Sequence, residues 1–228
     1  VHATQGNLNN EFGVPFTLLA LAENHQYSVV EMGAGAPGDI DYLSRIALPD
    51  VVLITCIAEA HLERLGSLAG VAETKGGIIH GLSANGTAVL PLDERWLPGW
   101  QAKLTAEQKL LTFGLSDKAN IYAVDVHATA TGMQFEVHVG SSQGIVDIPL
   151  QGEHNVLNAL AAISCCHALD IPLSQCIAGL ANIKATSGRL SPITGINNCQ
   201  ILDDTYNANP AAMIAGARVL SAYQGKHI

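Results

Sequence analysis

The 228-residue sequence predicts an α/β fold: a mostly parallel sheet flanked by helices, with a smaller strand-rich antiparallel portion. Three observations lead there. Short apolar, β-branched runs alternate with helical spacings over residues 26–90, which implies βαβ units. After about Lys109 the pattern changes to short strands separated by turns. Hydrophobic residues make up 48% of the chain, enough to bury a sizeable core.

Taken in order, residues 1–13 (VHATQGNLNNEFG) are rich in Asn and Gly and read as a loop. Val14 to Ala22 has helical spacing, with Pro15 near its start. Gln26 to Met32 reads as a strand ending near Glu31. Pro37 to Ile46 is a helix entered through glycines, and Val51 to Ile57 a buried strand. Val71 to Leu82 follows as a helix and Thr87 to Leu90 as a strand. The strand-rich portion comprises Leu110 to Phe113, Ile121 to Val126, Met133 to Val139 and Gly144 to Ile148. Helices return at Asn155 to Leu169 and Leu173 to Leu180. Gln200 to Asp203 is the next strand, and Pro210 to Ala222 the next helix. One domain is expected over 1–222, with 223–228 opening a linker.

The net charge of −9 argues against a nucleic-acid or anionic-membrane binder. It leaves room for an anionic substrate, because a metal can bridge two negative partners. Five cysteines without CxxC spacing sit mostly in apolar runs, so reduced core thiols in a cytoplasmic protein are expected. No signal peptide or membrane-length apolar run is visible, so no membrane insertion is expected. The chain opens without methionine and stops at Gly225-Lys226-His227-Ile228, which resembles the approach to a strand; an internal fragment is expected.

The stretch Ala58 to Gly77, AEAHLERLGSLAGVAETKGG, follows the strand at 51–57. Its polar residues therefore lie beyond a strand end, where ligands bind in parallel α/β sheets. His61 at the strand tip and Lys75 on the next helix can face one site. Glu31 ends another strand. A carboxylate and a neutral imidazole suit a divalent cation, whereas a lysine ammonium has no lone pair to offer. A solvated lysine and a helix-capping histidine are the structural alternatives.

Gly33 to Gly38, GAGAPG, fits the dinucleotide fingerprint G-x-G-x-x-G, but no acidic partner ends a second strand about 20 residues on. Gly152 to Leu160, GEHNVLNAL, opens a helix whose amides and Asn side chains can meet a nucleotide; capping by Asn155 is the alternative. Gly188-Arg189-Leu190 offers a guanidinium suited to phosphate. Asp203 to Pro210, DDTYNANP, places two carboxylates at a strand end before a helix that Pro210 enters.

These motifs together resemble the Mur ligases, specifically the branch that adds the terminal D-alanyl-D-alanine dipeptide to a cell-wall precursor. AHLERLGSLAGVAETKG follows that branch's AHLE-x-x-GS-x-x-G-x-A-x-x-K-G. GEHNVLNALAA follows G-x-H-N-x-x-N-A-L-A-A, DDTYNANP follows D-D-[ST]-Y-N-A-N-P, and residues 4–19 follow T-x-GN-x-NN-x-x-G-x-P-x-TLL. The resemblance runs from Thr4 to about Leu220 and implies the central ATP-binding domain. It implies ATP and Mg²⁺ as cofactors, with UDP-N-acetylmuramoyl-tripeptide and D-alanyl-D-alanine as partners, in a cytoplasmic monomer. Lys75 would be carbamoylated, and Glu31, His61 and that carbamate would form the catalytic, metal-holding set. His154, Asn155 and Asn158 would lie near the adenine, Arg189 would contact phosphate, and Asp204, favoured over Asp203, would contact the ribose. Asn7, Asn9 and Asn10 would contact the anionic precursor.

Departures are local. Gly35-Ala36 stands where the branch has Asn-His, Asp39 replaces Glu, Phe12 replaces Ile, and Gly77 replaces the glutamate of K-G-E-I. The G-x-x-G-K-[ST] phosphate loop is expected upstream of Val1, so these residues alone are expected to be inactive. A non-catalytic precursor-binding domain of the same fold and a dinucleotide oxidoreductase are the alternatives.

Overall fold

The computed structural model describes residues 1–58, 62–208 and 210–221. The expected α/β architecture is present. The main sheet has six strands, parallel at its first and third pairings and antiparallel at its last two. The chain divides into two compact units, Val1–Leu111 and Thr112–Ile228.

In the first unit, β1 (His2–Ala3) pairs in parallel with β2 (Ser28–Val29), with His2 opposite Ser28. The loop expected at 1–13 thus begins in a strand. Helix α1 spans Gly13–Leu19 and α2 spans Asp39–Ala47. β2 is shorter than the expected 26–32 because its hydrogen bonds leave the ladder. The Glu31 N–H donates to Thr4 Oγ1 (2.9 Å) and the Gly33 N–H to the Asn9 carbonyl (2.7 Å).

β3 (Val51–Leu53) pairs in parallel with β4 (Thr87–Pro91), Val51 opposite Thr87. The expected strand to Ile57 stops early for a similar reason: the Ile57 N–H donates to the Glu94 carboxylate at 2.8 Å. Between these strands lie the short α3 (Leu62–Leu65) and α4 (Leu68–Gly76). The Ser67 hydroxyl caps α4 by accepting the Gly70 N–H at 3.1 Å, satisfying one of the amides that a helix start leaves unpaired.

The helix expected over 71–82 is a correction. It is α-helical to Gly76 and then tightens into a 3-10 turn, Gly77–Gly81. Two glycines lower helix propensity at that junction. Bare Cα atoms also let the turn press onto α2: a Cβ on Gly81 would collide with the Ser44 carbonyl, and one on Gly77 would lie 3.1 Å from the Asp41 nitrogen. Gly81→Ala is expected to destabilise the protein by about 1–3 kcal/mol through overpacking against backbone. A fall in the urea midpoint with unchanged slope would register it.

The core of this unit gathers Val52, Ile54, Ala72, Ile79, Leu82, Ala88, Leu90 and Trp100. Trp100, from α5 (Leu97–Gln101), donates its indole N–H to the Ala72 carbonyl at 3.0 Å, so its one polar atom is satisfied in the interior. β5 (Lys109–Gly114) carries the chain across the unit boundary.

In the second unit, β5 runs parallel to β6 (Ile121–Ala128), Phe113 opposite Ile121. The tight connection between them is closed by Asn120 Oδ1, which accepts the Thr112 N–H (2.8 Å) and hydroxyl (2.9 Å). β6, β7 (Met133–Val139) and β8 (Ser142–Ile148) form the expected antiparallel portion. Along β7, Met133, Phe135, Val137 and Val139 are buried and the residues between them half-buried, the period-2 pattern of a strand with one core face.

Helix α6 (Glu153–Ala168) packs on β6 and β7, and α7 (Leu173–Leu180) on β8. β9 (Ser191–Thr194) and β10 (Gln200–Asp203) form an antiparallel hairpin, and α8 spans Pro210–Ser221. The linker expected over 223–228 lies outside the described residues. All five cysteines are free thiols. Burial pushes Cys165 up to about 12 and Cys176 up to about 11, which keeps both protonated and unreactive. Among the described residues, no helix is long and apolar enough to cross a membrane.

Candidate functional site

Each unit carries its own set of candidate residues. In the first, Glu31 follows β2 and is held twice. Its backbone N–H meets Thr4 Oγ1, and its Oε1 accepts the Asn9 amide N–H at 2.8 Å. The other carboxylate oxygen has no hydrogen-bond partner among the described residues. Lys75, half-buried in the last turn of α4, donates from Nζ to the Cys56 carbonyl at 2.9 Å. That carbonyl lies in the segment after β3 that Glu94 holds through Ile57. His61 lies outside the described residues. Among the described residues, no three His, Cys, Asp or Glu side chains gather as a metal-holding group.

The donor chemistry fits Mg²⁺. Mg²⁺ takes oxygen ligands and commonly uses only one or two carboxylates, filling its octahedron with water and substrate phosphates. A single carboxylate with one unclaimed oxygen meets that demand. Lys75 as an ammonium does not ligate a metal. A carbamate on Nζ would add two hard oxygens and still leave one N–H for the Cys56 carbonyl.

The three loop asparagines separate. Asn10 Oδ1 accepts the N–H groups of Phe12 (3.2 Å) and Gly13 (2.9 Å) at the start of α1. Asn9 reaches Glu31. Asn7 is exposed and uses its backbone carbonyl to accept the Asn9 N–H at 2.8 Å.

The glycine loop 33–38 is internally occupied. Asp39 Oδ2 accepts the N–H groups of Gly35 (2.9 Å) and Ala36 (2.6 Å). A pyrophosphate in a dinucleotide site needs such backbone donors, and here a carboxylate already holds them. The same carboxylate would lie 3.2 Å from a Cβ on Gly35, which ties the substitution at 35 to the shape of this loop.

In the second unit, α6 begins at Gly152, whose φ of 97° is the left-handed region glycine favours. A Cβ there would meet the His154 ring at 2.6 Å. Asn155 does not cap the helix. Its amide donates to the Gln151 carbonyl (2.8 Å) and lies 3.1 Å from His154 Nε2, while Asn158 donates to Asn155 Oδ1 at 3.4 Å. Burial lowers the pKa of His154 below its ordinary 6.5, opposed by the negative charge of Asp204.

The sign of that shift sets a pH dependence. Below 6.5 the unfolded chain takes up a proton at His154 before the folded chain does. Its contribution to stability is therefore full above 6.5 and is lost as pH falls toward the lower folded value. His154→Gln is expected to flatten the difference in urea midpoint between about pH 5.5 and about pH 7.5.

Arg189 stacks its guanidinium over the Tyr206 ring, 4.1 Å from the centroid. Gly188, at φ 74°, accepts the Tyr206 N–H at 3.0 Å, so the turn that carries Arg189 is stitched to the turn after β10. One carboxylate oxygen of Asp203 is engaged in that turn, Oδ1 accepting from the Thr205 hydroxyl (2.7 Å) and N–H (3.2 Å). Asp204 Oδ2 would lie 3.3 Å from a Cβ on Gly216 in α8. Sequence reasoning missed Thr4, Glu94 and Tyr206 as supporting groups. A hydroxyl, a carboxylate and a ring whose partners are distant in sequence carry no local signature.

The sequence matches the Mur ligase middle domain over residues 1–166. It is 39% identical over 226 residues to the UDP-N-acetylmuramoyl-tripeptide–D-alanyl-D-alanine ligase of Escherichia coli (strain K12), covering 99% of this chain and 50% of that protein. The crystal structure of MurF from Acinetobacter baumannii superposes with a TM-score of 0.93 at 35% identity, covering 98% of this chain and 48% of that one. MurF ligase from Thermotoga maritima, solved in complex with ADP, gives a TM-score of 0.85 at 29% identity, with 98% and 51% covered. The chain spans about half the length of the curated relatives it matches. With the family's middle domain matched over residues 1–166, more than half of this chain, and its fold reproduced, the chain belongs to the Mur ligase family.

Proposed function

We propose that this chain is the central, nucleotide-binding part of a cytoplasmic, monomeric ligase that joins D-alanyl-D-alanine to UDP-N-acetylmuramoyl-tripeptide at the expense of ATP. The observation that carries the reading is the 39% identity, over 99% of this chain, to the E. coli ligase of that name. The ADP bound to the T. maritima relative supports the choice of nucleotide.

The reaction has two balanced steps. A terminal carboxylate oxygen of the tripeptide attacks the γ-phosphorus of ATP, and ADP leaves, giving an acyl phosphate. The dipeptide amine then attacks the carbonyl carbon; inorganic phosphate leaves with the C–O bond and the amine gives up a proton. Mg²⁺, when bound, would neutralise charge between the phosphates and the carboxylate. The residues of this chain position and stabilise rather than attack. Glu31 and His61, with a carbamate on Lys75, are the proposed ligands. Arg189 is the proposed phosphate contact, held by Tyr206. His154, Asn155 and Asn158 are assigned to the adenine and Asp204 to the ribose, since Asp203 is engaged in its own turn. Asn7 and Asn10 are kept as precursor contacts.

The test is an assay of the full-length gene product with ATP, Mg²⁺, UDP-muramoyl tripeptide and D-alanyl-D-alanine. Phosphate release that depends on the dipeptide, with the amide product identified by mass, is the expected result. Precursor binding without turnover would replace the ligase by a non-catalytic domain of the same fold.

A further inference from the structure

Two residues of the loop after β1 converge on Glu31, one at its backbone and one at its carboxylate. Thr4 Oγ1 accepts the Glu31 backbone N–H at 2.9 Å, and Asn9 Nδ2 donates to Glu31 Oε1 at 2.8 Å. Asn9 is itself clamped. Its backbone carbonyl accepts the Gly33 N–H at 2.7 Å, and its side chain lies so close over Gly33 that a Cβ there would be 2.8 Å from Asn9 Oδ1. Glu31 is exposed. An exposed glutamate ordinarily samples many rotamers, and this one is tied at both its backbone and its carboxylate.

We propose that Asn9 is a positioning residue for Glu31, orienting the carboxylate that receives the divalent cation, and is not a contact for the anionic precursor. The inference rests on the assignment of Glu31 as a metal ligand made above. The geometry separates the two roles an asparagine in this loop can have. A precursor contact needs the amide turned toward the substrate, whereas the Asn9 amide lies flat over Gly33 with one of its two N–H donors directed at Glu31 Oε1. A metal ligand is helped by a donor that takes one carboxylate oxygen and aims the other, the usual part of an outer-shell partner. Gly33 belongs to the same device, because any larger residue would push the Asn9 amide off its line.

The experiment measures Mn²⁺ binding to the full-length protein, with free Mn²⁺ counted by its EPR spectrum. Steady-state kinetics with Mg²⁺ and the precursor varied separately run beside it. Asn9→Ala removes the donor, and Asn9→Leu removes it while keeping the side chain's bulk, so a folding defect of one variant does not decide the outcome. Both are expected to weaken Mn²⁺ binding by about 10- to 100-fold and to raise the Mg²⁺ requirement to match, with the precursor KM unchanged. A raised precursor KM with unaltered Mn²⁺ binding would overturn the proposal, as would no change in either. Glu31→Gln separates the two failures. If it weakens Mn²⁺ binding while the Asn9 variants do not, the positioning role falls alone. If it leaves Mn²⁺ binding intact, the assignment of Glu31 falls and the role of Asn9 falls with it.

Discussion

Lys75→Ala in the full-length protein is expected to lower dipeptide-dependent phosphate release by about 10²- to 10³-fold or more, the cost of removing one preorganised charge-stabilising group. The position explains why the effect should be on turnover. Lys75 sits in the last turn of α4 with Nζ on the Cys56 carbonyl, at the end of the segment that leaves β3. Loss of that single hydrogen bond would cost folding only about 1 kcal/mol. Lys75→Arg discriminates the chemistry. Arginine keeps a positive charge and the ability to donate to Cys56, but it stays protonated and forms no carbamate. If the ammonium charge itself does the work, the arginine variant retains much of the activity. If a carbamate does, arginine is as poor as alanine, and wild-type activity falls when dissolved CO₂ is removed. Equal activity in all three proteins would take Lys75 out of the mechanism.

The largest expected effect on stability is at Phe135. This side chain is fully buried in the middle of β7, between the inward-facing Met133 and Val137. Phe135→Ala is expected to cost about 3–5 kcal/mol, combining lost transfer energy with the cavity left behind. Phe135→Leu, which refills most of the volume, should cost about 1.5 kcal/mol or less. The contrast in urea midpoints checks that the term is packing rather than strand propensity. Gln134, the neighbour on the opposite face, donates to Asp147 at 2.7 Å on the surface of the sheet. Gln134→Ala should therefore stay within about 0.5 kcal/mol. A Phe135→Ala cost as small as that of Gln134→Ala would mean that this strand does not carry the core.

Much of this architecture was legible from periodicity. The bounds read for 133–139, 173–180 and 200–203 coincide with β7, α7 and β10. In β7 the alternation of Met133, Phe135, Val137 and Val139 with polar residues admits only one face to the core. Where reading and structure part, a side chain or a neighbouring backbone has overridden a local preference. Thr4 and Asn9 draw hydrogen bonds away from β2, Glu94 ends β3 early, and Gly77 and Gly81 yield to the backbone of α2. The asparagines at 7, 9 and 10 look equivalent as letters, yet one starts a helix, one holds a glutamate and one is exposed.

By itself, the sequence determined the α/β class, the antiparallel edge, the membership of the Mur ligase family and the candidate residue types, because these depend on period and on the order of motifs. Only the tertiary structure decided that Tyr206 carries Arg189 and that Asn9 serves Glu31. The physical reason is reach. A repeating pattern specifies which face of an element is apolar. A hydrogen bond between side chains 22 residues apart is specified only once the intervening chain has folded them together.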